Sequence, residues 1–215
     1  MWADFFNSLI YIVPAALIAI VLHEFAHGFV SHLLGDPTPK EGGRLSLNPL
    51  KHLDPIGTIC LIFFKFGWAK PVMVNPRYYK NPKTGMVLVA LAGPFMNLLI
   101  AFLCVFGLGI YVKTGGSYYI EFNSYFITFI QFLIVINIGL GVFNLIPFPP
   151  LDGSKILGAI LPENVYFKIM AYEQYGMIVL LLLLSTNLLT KPLVYLQEGI
   201  FDAFWNLTKI ILKIS

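Results

Sequence analysis

Val21-Leu22-His23-Glu24-Phe25-Ala26-His27-Gly28 lies inside an apolar run that covers residues 5–34. On a helix, residues four apart share a face, so His23 and His27 can present two imidazoles to one ion. Glu24, one position on from His23, points to the adjoining part of that face. From there its carboxylate can reach a water at the ion without being a ligand, as the general base of a zinc hydrolase does. Two histidines and a glutamate can fall at this spacing by chance. Ionisable groups inside an apolar helix are expensive and usually functional, and that favours the metal reading.

The surrounding composition says what kind of helix this is. Hydrophobic residues make up 58% of the 215-residue chain and charged residues 12%, with a mean hydropathy of +0.78. An ordinary soluble domain carries roughly 25% charged residues. This chain has too little charge to cover itself in water, so an all-α polytopic membrane protein in the lipid bilayer is expected. The net charge of +3 says little by itself, and no nucleic-acid partner is expected. Met1-Trp2-Ala3-Asp4 lacks a basic region and the first apolar run is too long for a cleavable signal peptide, so none is expected. Cys60 and Cys104 stand far apart in apolar surroundings and read as buried free thiols.

Four runs read as membrane spans: residues 5–34, 85–112, 122–145 and 176–189, the last rather short. Between the first two, residues 36–84 turn to Gly, Pro, Asn and charge. They hold eight of the fourteen basic residues: Lys40, Arg44, Lys51, Lys65, Lys70, Arg77, Lys80 and Lys83. The positive-inside rule puts this region in the cytoplasm and the N-terminus outside, in a multi-pass protein of the cell membrane. Within it, residues 44–48 and 68–75 read as short strands, together a β-hairpin region that could hold an extended peptide by strand addition. Residues 56–66 form an apolar run of about 11 residues, too short to span and read as re-entrant or interfacial. The tail after residue 190 carries Phe201, Phe204, Trp205, Leu207 and Ile211 with Lys209 and Lys213, which suits an amphipathic or membrane-packed helix. The expected division is a domain of residues 1–190 and a tail of residues 191–215.

A catalytic zinc takes three protein ligands and keeps a fourth position open. His32 lies nine residues past His23, on the opposite side of an ideal helix, and His52 sits in the polar loop; both read as surface histidines. Asp152 is the stronger candidate. The first span runs inward and carries His23 and His27 about 10–16 Å short of its inner end. The third span also runs inward and ends in Asn144-Leu145-Ile146-Pro147-Phe148-Pro149-Pro150-Leu151-Asp152-Gly153, where the prolines force extended chain. Irregular backbone at membrane depth is tolerated where it is buried in protein or lines a wet cavity. The two halves therefore converge near the cytoplasmic face.

These residues resemble a known family. His23-Glu24-x-x-His27 in one span, Ala92-Gly93-Pro94-x-x-Asn97 in the next, and Asn144-x-x-Pro147-x-x-x-Leu151-Asp152-Gly153 are similar to the site-2 proteases, intramembrane zinc metalloproteases. Gly67-Trp68-Ala69-Lys70-Pro71-Val72 and Asn75-Pro76 resemble the bacterial branch, with Met73 where many relatives have proline. The resemblance covers residues 18–160 and implies a compact prokaryotic member without PDZ or CBS domains. It implies one zinc per chain on His23, His27 and Asp152, with Glu24 as the catalytic carboxylate. It also implies that Asn144 and Asn97 hold the backbone of a transmembrane substrate. Against this stand an inactive membrane binding protein of the same fold, a small metal or ion transporter, and a membrane zinc protease of another family with its third ligand elsewhere. Intact ligands and Glu24 speak against the first. The polar groups cluster at one depth and no repeat is seen, which speaks against the second.

Overall fold

The computed structural model describes residues 2–64, 69–115, 121–171 and 173–214. Nine α-helices form among them. Helix α1 (Trp2–Leu33) carries the His-Glu-x-x-His stretch and stops at Gly35, whose φ of 101° lies in the left-handed region that a β-carbon disfavours. The region that follows is built from short pieces. Helix α2 (Thr38–Glu41) is a single turn, and Asn48 caps a 3-10 turn over Pro49–Lys51 by accepting from Leu50 N. Helix α3 (Pro55–Phe64) opens on proline, and the Asp54 carboxylate accepts from Gly57 N. At ten residues it is about 15 Å long, half a bilayer core.

Helix α4 (Pro82–Lys113) starts with Pro82 at its first position and the Asn81 side chain accepting from Thr84 N. Helix α5 (Glu121–Asn144) ends just before the proline-rich stretch. Helices α6 (Gly153–Ile160), α7 (Glu163–Met170), α8 (Glu173–Ser185) and α9 (Asn187–Leu212) complete the chain. Among the described residues, three helical segments are long and apolar enough to cross a membrane: Ser8–Leu33, Pro82–Lys113 and Tyr125–Asn144. They belong to α1, α4 and α5, which pack on one another. The protein is thus an all-α polytopic membrane protein.

Two parts of this architecture differ from the sequence reading. The fourth expected span is divided. Helix α8 stops at Ser185, and the Thr186 hydroxyl caps α9 by accepting from Leu188 N. At 13 residues α8 is about 20 Å long. Helix α9 then packs lengthwise on α4 and α5: Phe204 meets Phe102 edge to face at 5.4 Å, and Thr208 sits against Gly109. Leu193, Ile200, Phe204 and Trp205 cover a core of Ala101, Val105, Ile134, Ile138 and Val142. The tail is therefore a packed helix.

The expected β-hairpin is the second difference, and it does not form among the described residues. A single bridge pairs Leu53 with Ala69. Pro71 and Pro76 donate no backbone hydrogen bond, and the N–H groups of Val72 and Asn75 go to carboxylates instead of a neighbouring strand. Lys65, Gly67 and Trp68 lie outside the described residues. Cys60 and Cys104 are free thiols, both partly buried.

Candidate metal centre

The rise of the helix places His23 and His27 one turn apart on the buried face of α1, their rings in edge contact at 4.6 Å. Each ring is fixed from behind. His27 Nδ1–H donates to the Val89 carbonyl of α4 at 2.6 Å, and His23 Nδ1–H donates to the Asn97 side-chain carbonyl at 2.5 Å. With Nδ1 engaged as a donor on each ring, Nε2 is left with its lone pair free, the state a metal ligand needs. The two Nε2 atoms stand 3.0 Å apart.

Asp152 completes a triangle. Its Oδ2 lies 3.1 Å from each Nε2. Tetrahedral zinc with bonds of ~2.0–2.1 Å separates neighbouring donor atoms by roughly 3.3 Å, so the observed spacing fits that ion. Two imidazoles and one carboxylate are a donor set that catalytic zinc uses. All three residues are buried. Asp152 is held where it is by the tight descent from α5: a β-carbon on Gly153 would collide with the backbone carbonyls of Leu145 and Ile146. The Lys155 ammonium, on the first turn of α6, stands 3.5 Å from the other oxygen, Oδ1.

A second close approach makes room for the triangle. A β-carbon at Gly93 would lie 2.5 Å from His27 Nε2 and 2.6 Å from His23 Nε2, inside the van der Waals limit. Only a glycine lets the α4 backbone press this closely on two imidazoles whose metal-facing nitrogens must stay clear.

Glu24 stands beside the triangle and shares a cavity of about 390 Å³ with His23. Asn144, Pro150, Lys155 and Pro71 also line it. Its own Oε2 accepts from the backbone N–H of Val72 at 2.9 Å. A larger hollow of about 750 Å³ between α4, α5 and α9 contains none of the candidate ligands. The chemistry belongs to the smaller one.

The structure brings together His23, Glu24, His27 and Asp152, and it separates the two asparagines. Asn144 lines the cavity, its Nδ2 donating back to the Leu140 carbonyl. Asn97 is not among the residues that line it. It is fully buried, its oxygen on His23 and its Nδ2 donating to the Ala19 carbonyl and to Asn137 Oδ1. Its polar atoms are all engaged, so its work is to orient His23. Asn137 extends that network from the middle of α5 and escaped the sequence reading, although an amide in an apolar span was its signal. His52 is another correction. It is fully buried, with Nε2–H donating to the Ser46 carbonyl at 2.7 Å while its backbone carbonyl accepts from Lys70 N. His32 is partly buried and turned to the Asp36 carbonyl.

Comparison with known proteins gives the family. Residues 119–184 match peptidase family M50. The chain is 42% identical to YwhC of Bacillus subtilis over 83% of its own length and 81% of that protein's. It is 29% identical to Rip2 of Mycolicibacterium smegmatis over 93% of its length and 76% of that protein's. It is 27% identical to MJ0392 of Methanocaldococcus jannaschii over 92% of its length and 49% of that protein's. All three carry names that place them among zinc metalloproteases. No solved structure matches the chain. The chain belongs to peptidase family M50, the site-2 proteases, and is a zinc metalloprotease.

Proposed function

We propose that this metalloprotease cleaves peptide bonds within or near transmembrane segments, with His23, His27 and Asp152 holding one zinc and Glu24 as general base and acid. The observation that carries the reading is the triangle of donor atoms 3.0–3.1 Å apart, two of them on a helix apolar enough to cross a membrane, with Glu24 in the same cavity. A catalytic zinc there supplies a Lewis acid for the scissile carbonyl and makes water a stronger acid.

The chain's own groups do the rest. Glu24 takes a proton from the attacking water as oxygen adds to the peptide carbon. It then delivers that proton to the amide nitrogen as the C–N bond breaks, which leaves a carboxylate and an amine. Asn144, at the cavity wall, is placed to satisfy backbone groups freed when a substrate helix unwinds. The clustered basic residues of the region between α1 and α4 support a cell-membrane protein whose site lies near the cytoplasmic face.

The test uses purified protein and a synthetic transmembrane segment. About one zinc per chain is expected in wild type and none after Asp152→Ala, while Glu24→Gln keeps the metal and loses cleavage. Zinc that survives Asp152→Ala would refute the ligand set, and cleavage by Glu24→Gln would refute its role.

A further inference from the structure

Residues 72–75 form an extended strap between two prolines, fastened at both ends to carboxylates of the first helix and its exit turn. Val72 N–H donates to Glu24 Oε2 at 2.9 Å, and Asn75 N–H donates to Asp36 Oδ2 at 2.7 Å. Pro71 and Pro76 flank the strap and fix its backbone, restricting Lys70 and Asn75 to extended conformations.

The far anchor is the firmer one. Asp36 is fully buried and folds back on α1, where its Oδ2 also accepts from the Ser31 hydroxyl at 2.8 Å. Its Oδ1 accepts from Thr38 N at 2.9 Å. The Ser31 hydroxyl in turn lies 2.7 Å from the Tyr79 hydroxyl, and Tyr79 packs against Gly85 of α4. The carboxylate therefore ties the strap to both spans.

The lengths match. Ser31 is seven residues beyond Glu24, about 10.5 Å along the axis. From Val72 N to Asn75 N is three extended residues, about 10 Å. A strap of this length pinned at Asn75 has little freedom left at Val72. It also lies flush on the helix, because a β-carbon at Gly28 would stand 3.3 Å from the Val72 side chain.

We propose that Asp36 is a positioning residue for peptide hydrolysis: by pinning Asn75 it holds the strap so that Val72 N–H fixes one oxygen of Glu24 and leaves the other for the proton of the attacking water. This rests on the reading of Glu24 as the proton carrier. Asp36 touches no reacting atom and acts through the strap.

The test measures kcat, KM and bound zinc on the full chain with a synthetic transmembrane segment. Val72→Pro removes this donor to Glu24, Val72→Ala keeps it, and Asp36→Ala releases the far end. Both Val72→Pro and Asp36→Ala are expected to lower kcat by about tenfold to a hundredfold with KM and zinc unchanged, the cost of a misplaced catalytic group. Val72→Ala stays within a few-fold of wild type. The double variant Val72→Pro/Asp36→Ala falls no further than Val72→Pro alone, because both act on one oxygen. Asp36→Asn, which keeps the size and one carbonyl oxygen, recovers part of the loss. Multiplying defects in the double variant, a rise in KM at unchanged kcat, loss of zinc, or a normal kcat for Asp36→Ala each overturn the proposal. Glu24→Gln in the same assay separates the two levels. If it still cleaves, the reading of Glu24 fails; if it is dead while Asp36→Ala is normal, only the positioning role fails.

Discussion

At the scale of single residues, the site depends on groups that touch no substrate. Asn97 holds His23 from behind, and outer partners of metal-bound histidines typically contribute 10- to 100-fold to metal affinity. Asn97→Ala is expected to weaken zinc binding by about that factor, read by competition with a chelator. Gly93→Ala should be harsher, because its methyl would overlap both Nε2 positions. Zinc content near zero in a protein that remains helical is the outcome expected. Asp36 brings a pH dependence. Burial opposes its ionisation, but hydrogen bonds from Thr38, Asn75 and Ser31 outweigh that and hold the carboxyl below its ordinary range. A carboxyl depressed in the folded state stabilises above its unfolded value of roughly 3.9. That contribution is lost as pH falls through the lower folded value. Thermal unfolding from pH 7 down to about pH 3 should show wild type losing more stability than Asp36→Asn, which has no carboxyl to protonate.

At the scale of elements, much of the chain was legible. The motif helix, the two apolar spans that face it and the break after Asn144 all carry local signals: apolar length, a proline at the first turn, a proline-rich exit. The strap was not, and of α9 the helix was legible but not the choice between an amphipathic and a packed one. Residues 68–75 have the composition of a strand, but a strand needs a partner edge, and here the available donors met carboxylates first. Helix α9 has too mixed a face to announce itself as packed. Its place is decided by Gly109, where a side chain would run into Thr208 and Leu212. Gly109→Leu is expected to push α9 outward and cost about 1–3 kcal/mol by overpacking, measured as a lowered unfolding temperature in detergent. Zinc should be retained, because the three candidate ligands come from α1 and the start of α6, and their supports from α4.

For the molecule as a whole, the arrangement predicts a sidedness. With Cys60 and Cys104 replaced by alanine, Lys80→Cys should react with an impermeant thiol reagent only from the cytoplasmic side and Thr114→Cys only from the other. The opposite pattern would reverse the topology drawn from basic-residue counts. Sequence by itself determined the environment and the chemistry. Low charge forces the chain into lipid, where backbone groups must pair internally and long apolar runs become helices. Helical periodicity then puts His23 and His27 on one face, and the prolines after Asn144 leave the chain free to turn Asp152 toward them. Only the tertiary structure decided what stands behind these groups. Whether an asparagine faces a substrate or a histidine and which carboxylate receives Val72 N–H depend on contacts between residues 74 and 48 positions apart, and whether His52 is exposed or buried depends on the chain that folds around it. Local propensity carries no information about such contacts. Most are fixed by the need of buried polar groups for partners once the helices have closed around them, although His52 Nδ1 and Thr208 Oγ1 find none.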